Sequence, residues 1–407
     1  MKSLKALIIG HGSELMFSMP AVLNKAGFIV DAISDDNCFS KSKFIDNYEQ
    51  VSIVHFVDRI RRIDVNIYDL IVACDDLTLK TISESDLFDE IKLRFIPVTD
   101  VKFLSHIYSK IELSKILEKS CIKTPPFFVA NNKREAVESA SRLGYPVMLK
   151  ENSGGGGNGV FQCQKESDIA LLPNRIFDKP LLLQKKIIGE EFDFSAVYFD
   201  QKLIHFNCAR PEKTINRFGP SSLRTYYQTA IIEKDIFNDM ANLGKALGAN
   251  GFVNISAMKS SEDGRLYFFE ADMRPNVWID LSRFVGDDAS VKIANWFAKG
   301  EFMTELPKIN NDYPRQLLIP YFFRLNRFEI LFNCYDVWKF LPKEDKVFLK
   351  ALLIEKILFR DLSIKNILKK IKRIPLKIIR SFVPLKHDRA IIRARIGEIF
   401  NFRRARF

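Results

Sequence analysis

The chain has 407 residues, 47% of them hydrophobic and 28% charged, which supplies a core for two or three domains and excludes a disordered polymer. Its formal charge of +12 is confined to one end: residues 365–407 hold 14 Lys and Arg against two acids, and the first 364 residues balance at 48 against 48. The basicity therefore belongs to the tail alone, and no nucleic-acid partner is expected.

Lys5–Ile9 reads as a strand, Gly10-His11-Gly12-Ser13 as a tight turn, Glu14–Ala26 as an amphipathic helix closed by Gly27, and Phe28–Ile33 as a second strand. This is a βαβ opening of Rossmann-like type. Asp35 after the second strand gives the G-H-G turn a faint likeness to a dinucleotide fingerprint, but the third glycine is missing, and a supporting α/β domain is the better reading. Tyr68–Cys74, which runs into Asp75-Asp76, and Arg94–Val98 read as further strands. The first domain closes near Pro97, giving residues 1–98.

Val101–Ser120 is a helical stretch containing Lys110, and Pro125-Pro126 forces an extended segment after it. Asn131–Leu143 fits a helix. Pro146–Lys150 then reads as a strand, followed by Gly154, Gly155, Gly156, Gly157 and Gly159 and by a returning strand, Val160–Cys163. Glycine tolerates positive φ and leaves backbone N–H groups uncovered, so this loop can wrap an anion while Lys150 adds a point charge. A flexible linker is the alternative, against which stands the loop's position inside a hairpin. The spacing is not that of a P-loop, and no helix opens directly after the glycines as a dinucleotide site requires.

Leu181–Gln184 begins a strand that continues through KKIIGEEFDFSAVYFD, with Phe192, Phe194, Ala196 and Tyr198 on one face. From Gly251 the pattern is a hairpin, Val253–Met258 out and Arg265–Glu270 back around Glu262-Asp263-Gly264. Glu270 and Asp272, two apart on an extended segment, can face one side as hard oxygen ligands suited to Mg²⁺. A solvated pair at a strand end is the alternative.

With the lysine-glycine hairpin, QKKIIGEEF and EADMRPN in that order, the chain resembles the ATP-grasp superfamily over residues 100–300, nearest in style to the carbamoyl-phosphate-synthetase-like and D-alanine:D-alanine ligase branches. The resemblance implies an α/β and α+β multidomain protein. A Rossmann-like domain would precede an ATP-grasp domain over 99–304, with a mobile Gly-rich lid at about 122–187 and a basic, mainly helical extension over 305–407. It also implies roles by position. Lys110 and Lys150 would reach ATP phosphates and the glycines from Gly154 to Gly159 would close over them. Gln184, Lys185, Lys186 and Ile187 would hold adenine, with Lys185 at the base edge, and Glu191 would take the ribose hydroxyls. Glu270 and Asp272 would bind Mg²⁺, and Arg274 would match the arginine of the family's N-P-R ending.

Two departures from the family pattern stand out. The ending here reads Asp272-Met273-Arg274-Pro275, and the preceding strand offers Asn254 and Ser256 where many relatives place another metal ligand. One Mg²⁺ is therefore expected and a second is left open, with Mn²⁺ a substitute that the same oxygens accept.

What such enzymes share is activation of a carboxylate by the γ-phosphoryl group, followed by attack of a nitrogen nucleophile on the acyl phosphate. The expected function is an ATP-dependent carboxylate–amine ligase for small molecules; the alternative is a nucleotide-binding module without turnover. Arg210, Arg217 and Arg224 lie between the adenine segment and the metal hairpin, and Arg210 is the first choice for the acceptor carboxylate, a solvated arginine surface being the alternative. A second grasp copy and a glutaminase triad are not visible, which argues against a complete carbamoyl phosphate synthetase.

Ile364, Ile367, Leu368, Ile371 and Ile374 recur at helical spacing among Lys365, Lys369, Lys370, Lys372 and Arg373, a basic amphipathic helix. Its stripe would dock on the protein itself or on anionic lipid, and its regularity favours the first. The six cysteines, at 38, 74, 121, 163, 208 and 334, form no C-x-x-C pair, and no run of about 18 apolar residues appears. Ala6–Ile9 is too short for a signal peptide. The expectation is a cytoplasmic protein, membrane-peripheral only if the tail meets lipid.

Overall fold

The computed structural model describes residues 3–352 apart from 13, 327, 328, 331 and 342. The basic helix expected within 364–407 lies outside the described residues.

β1 (Leu4–Gly10), α1 (Met19–Lys25), β2 (Phe28–Ser34), β3 (Asn47–Gln50), α2 (Phe56–Ile60), β4 (Leu70–Ala73), α3 (Asp76–Ser83) and α4 (Asp89–Phe95) follow in order. The four strands make a parallel sheet in the order β3-β2-β1-β4. Parallel strands are covered on both faces, which explains the near-continuous apolar runs of β1 and β4.

Two expectations for this region change. The helix foreseen from Glu14 is a short 3₁₀ turn, Glu14–Met16, followed by α1. Pro20 is the cause: proline suits the first positions of a helix and cannot continue one. Arg94–Val98 is not a strand. Arg94 belongs to the last turn of α4, where its guanidinium donates to the carbonyls of Val65 and Tyr68 at 3.1 and 2.7 Å. Val98 makes only an isolated bridge to Ala249.

A 3₁₀ turn over Val101–His106 leads into α5 (Lys110–Lys119), capped by the Ser109 hydroxyl, which accepts from the Glu112 N–H at 3.1 Å. β5 (Phe127–Ala130), α6 (Lys133–Leu143), β6 (Val147–Glu151), β7 (Val160–Cys163), α7 (Glu166–Ala170) and β8 (Leu181–Lys185) come next, with an antiparallel sheet in the order β5-β8-β6-β7. The glycine loop joins β6 to β7.

The last sheet holds β9 (Gly189–Phe199), β10 (Lys202–Thr214), β11 (Ser221–Tyr227), β12 (Gly251–Ser260), β13 (Leu266–Asp272) and β14 (Gln316–Pro320), in the order β13-β12-β9-β10-β11-β14. Helices α8 (Lys234–Ala246) and α9 (Ala289–Lys299) pack on it. Leu181–Phe199 is thus two strands in two sheets, broken at 186–188, rather than the single strand expected. At the break, a Cβ on Gly189 would fall 1.8 Å from the Lys259 carbonyl oxygen, so only glycine lets β9 start against β12.

Phe194, Ala196 and Tyr198 enter the main core with Ile255, Ala257 and Phe268, and the same cluster takes in Leu7, Ile9 and Ile33 of the parallel sheet. The opposite face of β9, β12 and β13 is left to polar residues. The architecture is a mixed α/β multidomain fold whose residues Met1–Ala351 make one compact unit.

Candidate functional site

Register decides which residues meet. Asp193 of β9 lies opposite Ser256 of β12, which lies opposite Glu270 of β13; one step along, Ser195, Asn254 and Asp272 line up in the same way. Directly opposed residues share a face, so two polar rows cross three strands.

The rows are wired differently. In the first, the Ser256 hydroxyl donates to Asp193 Oδ1 at 2.6 Å, while Arg224 Nη2 of β11 pairs with Asp193 Oδ2 at 2.6 Å. That pair is buried, and the guanidinium lies 4.4 Å from the centroid of the Trp278 ring. In the second row, Asn276 Nδ2 donates to Ser195 Oγ at 2.6 Å and to Asn254 Oδ1 at 2.7 Å, and Asn254 Nδ2 donates to Asp272 Oδ2 at 3.0 Å. Ser256 and Asn254, weighed as metal ligands in the sequence, thus hold acids in place.

Lys150, at the end of β6, is 7% exposed, and its ammonium stands 4.7 Å from the centroid of the Phe269 ring. It makes no hydrogen bond or ion pair among the described residues. Burial pushes its pKa down to about 8, aided by Lys110 and opposed by Glu270 and Glu191. The Glu270 carboxylate is likewise without a hydrogen-bonding partner among the described residues. Burial and the neighbouring Asp272 push its carboxyl up to about 7, against the pull of Lys110 and Lys150. Glu191 is raised by burial and Asp193, and Asp272 by burial against the pull of Arg274. Residues from α5, β6, β9 and β13 therefore share one electrostatic site.

The glycine loop is tied to that site. Lys110 Nζ donates to the Gly154 carbonyl at 2.5 Å, and the Lys110 N–H donates to the Asn152 carbonyl at 3.0 Å. Asn152 Oδ1 accepts from the Ser109 hydroxyl and the Ile111 N–H. Gly157, at φ +81°, passes so close to Phe218 that a Cβ would fall 2.3 Å from its carbonyl oxygen. Asn152 had gone unnoticed in the sequence because an asparagine before glycines looks like loop.

Gln184 of β8 is 1% exposed; its Nε2 donates to the Ser114 hydroxyl of α5 at 3.3 Å, and its Oε1 is an orphaned acceptor. A buried amide oxygen without a donor is costly unless a ligand supplies one. Beside it, Lys185 is exposed, Ile187 is half-buried, and Lys186 Nζ donates to Gln162 Oε1 at 3.1 Å.

The arginines fall in separate places. Arg274 Nε donates to Asp76 of α3 at 2.8 Å, and Nη2 to Asp272 at 3.0 Å, so the parallel sheet's own domain reaches the metal-type acids. Arg210 is at the rim, donating to Glu212 and Glu190 at 3.0 and 3.3 Å, and Arg217 donates to Gln162 at 2.7 Å. Arg224 is the buried one. Among the described residues, no three His, Cys, Asp or Glu side chains gather as a metal cage, and no helix is long and apolar enough to cross a membrane.

A family model for the carbamoyl-phosphate synthase L chain, ATP binding domain, matches residues 109–180, the stretch from α5 to the start of β8. The carbamoyl phosphate synthase large chain of Lachnoclostridium phytofermentans is 24% identical over 199 residues, covering 47% of this chain and 18% of that one. The chain spans between 7% and 21% of the length of the first curated relatives it matches.

Among solved structures, the biotin carboxylase domain of Hydrogenobacter thermophilus 2-oxoglutarate carboxylase, in complex with MgADP, ADP and bicarbonate, superposes with a TM-score of 0.58 at 18% identity, covering 78% of this chain and 74% of that one. N5-carboxyaminoimidazole synthase of Aspergillus clavatus gives 0.59 at 16% identity, with 79% and 82% covered. The fold, with its lysine-glycine hairpin and paired acids, is that of an ATP-grasp protein. Over residues 109–180 the chain is similar to the carbamoyl-phosphate-synthetase-like branch of that superfamily.

The buried Asp193–Arg224 pair yields a direct test. Removing one partner leaves the other charge buried and alone, so Asp193→Ala should lose about 3–5 kcal/mol in chemical denaturation. Adding Arg224→Met to it should recover most of that loss.

Proposed function

We propose that the chain is an ATP-dependent ligase that joins a carboxylate to an amine through an acyl phosphate. The observation that carries this reading is the buried Lys150 ammonium beside the Glu270 carboxylate, neither of which has a hydrogen-bonding partner among the described residues. A buried cation and a half-buried acid, both lacking hydrogen bonds, are costly as structure and make sense as halves of a ligand site.

The donor set fits Mg·ATP. Lys110, Lys150 and the N–H groups of Gly154 to Gly159 would take phosphate oxygens, and Gln184 Oε1 would accept from the amino group of the base, with Lys185, Lys186 and Ile187 around it. Glu191 would take the ribose. Glu270 and Asp272 would hold one Mg²⁺, an ion content with two carboxylates plus phosphate and water oxygens. Bound nucleotide supplies the phosphoryl group that activates the acceptor carboxylate.

The protein's own work is positioning, neutralising charge and excluding water. The hairpin between β6 and β7 would move as a lid, within a grasp domain over 99–304 that follows the domain at 1–98. Arg210 at the rim would be the first cation for an anionic acceptor, with Arg224, buried against Trp278, a second, and Arg274 steadies Asp272. Relatives described as synthases and carboxylases support an enzyme of this type.

Two measurements test the reading. Carboxylates and amines are screened for ADP release from Mg·ATP; release that needs both members of a pair is expected, whereas ATP binding without turnover for every pair, unaffected by Glu270→Ala, would refute the ligase. Calorimetry in buffers of different ionisation enthalpy gives the second. A Glu270 carboxyl raised to about 7 is largely protonated near pH 6, so a bound cation should expel its proton. A Lys150 lowered to about 8 is partly neutral near pH 8, so a bound triphosphate should add one. Net proton release at the lower pH should turn to uptake at the higher, and Glu270→Gln should abolish the release.

A further inference from the structure

The G-H-G turn after β1 has no part in the site above. It lies where the order of the parallel sheet reverses: β2 and β3 extend one side of β1 and β4 the other, the kind of position at which open α/β sheets bind ligands. Its glycines explain themselves sterically. Gly12 holds φ +72°, and a Cβ there would fall 2.1 Å from Asp36 Cβ; a Cβ on Gly10 would fall 3.0 Å from Asp75 Oδ2. The turn threads between the ends of β2 and β4 with His11 as the one side chain between its two glycines.

His11 is held at its backbone by Asp75 and at its ring by Asp35. The His11 N–H donates to Asp75 Oδ2 at 2.6 Å, and its Nδ1 lies 2.5 Å from Asp35 Oδ2. Imidazole and carboxylate are 43% and 24% exposed, so the pair is open to solvent on one side, and Nε2 is engaged by none of the described residues. The residue after Asp75 is Asp76, which holds Arg274, which in turn holds Asp272. The turn that carries the pair is thus linked, through Asp75-Asp76 and Arg274, to Asp272 of the proposed phosphoryl site.

We propose that His11 is the general base for the amine, with Asp35 the residue that positions its ring; the inference rests on the ligase reading. Primary amines have pKa values of about 8–10 and are cations at neutral pH, without a lone pair to attack with. Asp35 accepts from Nδ1–H and so fixes the tautomer whose Nε2 is free to take a proton. Nε2 accepts one proton from the ammonium. The freed lone pair forms the C–N bond to the carbonyl carbon of the acyl phosphate. The C–O bond to phosphorus's oxygen then breaks, and phosphate departs with that electron pair and with the second proton lost by nitrogen. The carboxylates of Asp35 and Asp76 favour a substrate that arrives as a cation.

Hydroxylamine, which is unprotonated at neutral pH, separates the steps because it needs no base. Wild type, His11→Gln and Asp35→Asn are each given Mg·ATP and a pool of carboxylates, namely bicarbonate, the common amino acids and short mono- and dicarboxylic acids. The nucleophile is either hydroxylamine or a pool of primary amines, and hydroxamate, amide and ADP are quantified by mass spectrometry. His11→Gln should keep hydroxamate within about twofold of wild type and lose amide formation by about 10²–10⁴-fold. Asp35→Asn should also keep hydroxamate and lose amide less severely, with Asp35→Glu recovering part of the loss. Equal amide from wild type and His11→Gln, or a parallel loss of hydroxamate and amide in both His11→Gln and Asp35→Asn, overturns the assignment and leaves the ligase standing. No hydroxamate from wild type with any carboxylate overturns the ligase reading and this inference with it.

Discussion

A buried lysine that forms no ion pair among the described residues, at the root of a glycine loop, is the constraint on which the rest of the site depends. Lys150 is placed by β6, and β6 is held on both edges, by β7 and β8. The loop that leaves it is fastened to the first turn of α5 through Asn152, whose side-chain oxygen accepts from Ser109 and Ile111. The same turn presents Lys110. One asparagine thus sets two lysines relative to each other and to the glycines. Such an arrangement lowers the stability of the protein alone, since a charge out of water wants a partner. Its gain comes with a polyanion.

The second constraint is strand register. Glu270 and Asp272 are useful only if β13 presents its polar face where β12 and β9 present theirs, and a slip of one residue would send both acids into the core. Register is locked from above by the glycine that starts β9 and from below by the Ser195–Asn276–Asn254 hydrogen bonds. Between them lies the Asp193–Arg224 pair, which draws β9 and β11 onto the same site although β10 separates them.

How much of this was legible in the sequence follows from distance along the chain. The β6–β7 hairpin and the β12–β13 hairpin were readable because their signals are local: apolar alternation, a turn, and residues two apart. The split between β8 and β9 was not, because an apolar run looks the same whether it feeds one sheet or two; what divides it is the close approach of Gly189 to Lys259, 70 residues away. Asp193 stood in plain view within F-D-F, but its meaning comes from Ser256, 63 residues on, and from Arg224. Asn152 and Asp76 take theirs from partners 43 and 198 residues away. Arg94–Val98 reads as a strand from its apolar residues alone, but α4 carries Arg94 and Phe95 in its last turn and Pro97 ends the run. The glycines at 10 and 12 were seen as half a nucleotide motif, and the structure gives them a steric purpose instead.

The central claim is that Lys150 is held for a phosphate ligand and not for the fold. Calorimetric titration of Mg·ATP into wild type and Lys150→Met, with thermal unfolding of both proteins in the absence of nucleotide, tests it most directly. The account predicts affinity lower by about tenfold or more, the loss of one charge-assisted contact worth about 1.5–3 kcal/mol, together with an unliganded protein at least as stable as wild type, because a thioether suits a buried site better than an unpaired ammonium. Unchanged affinity, or a variant less stable than wild type without nucleotide, would contradict it.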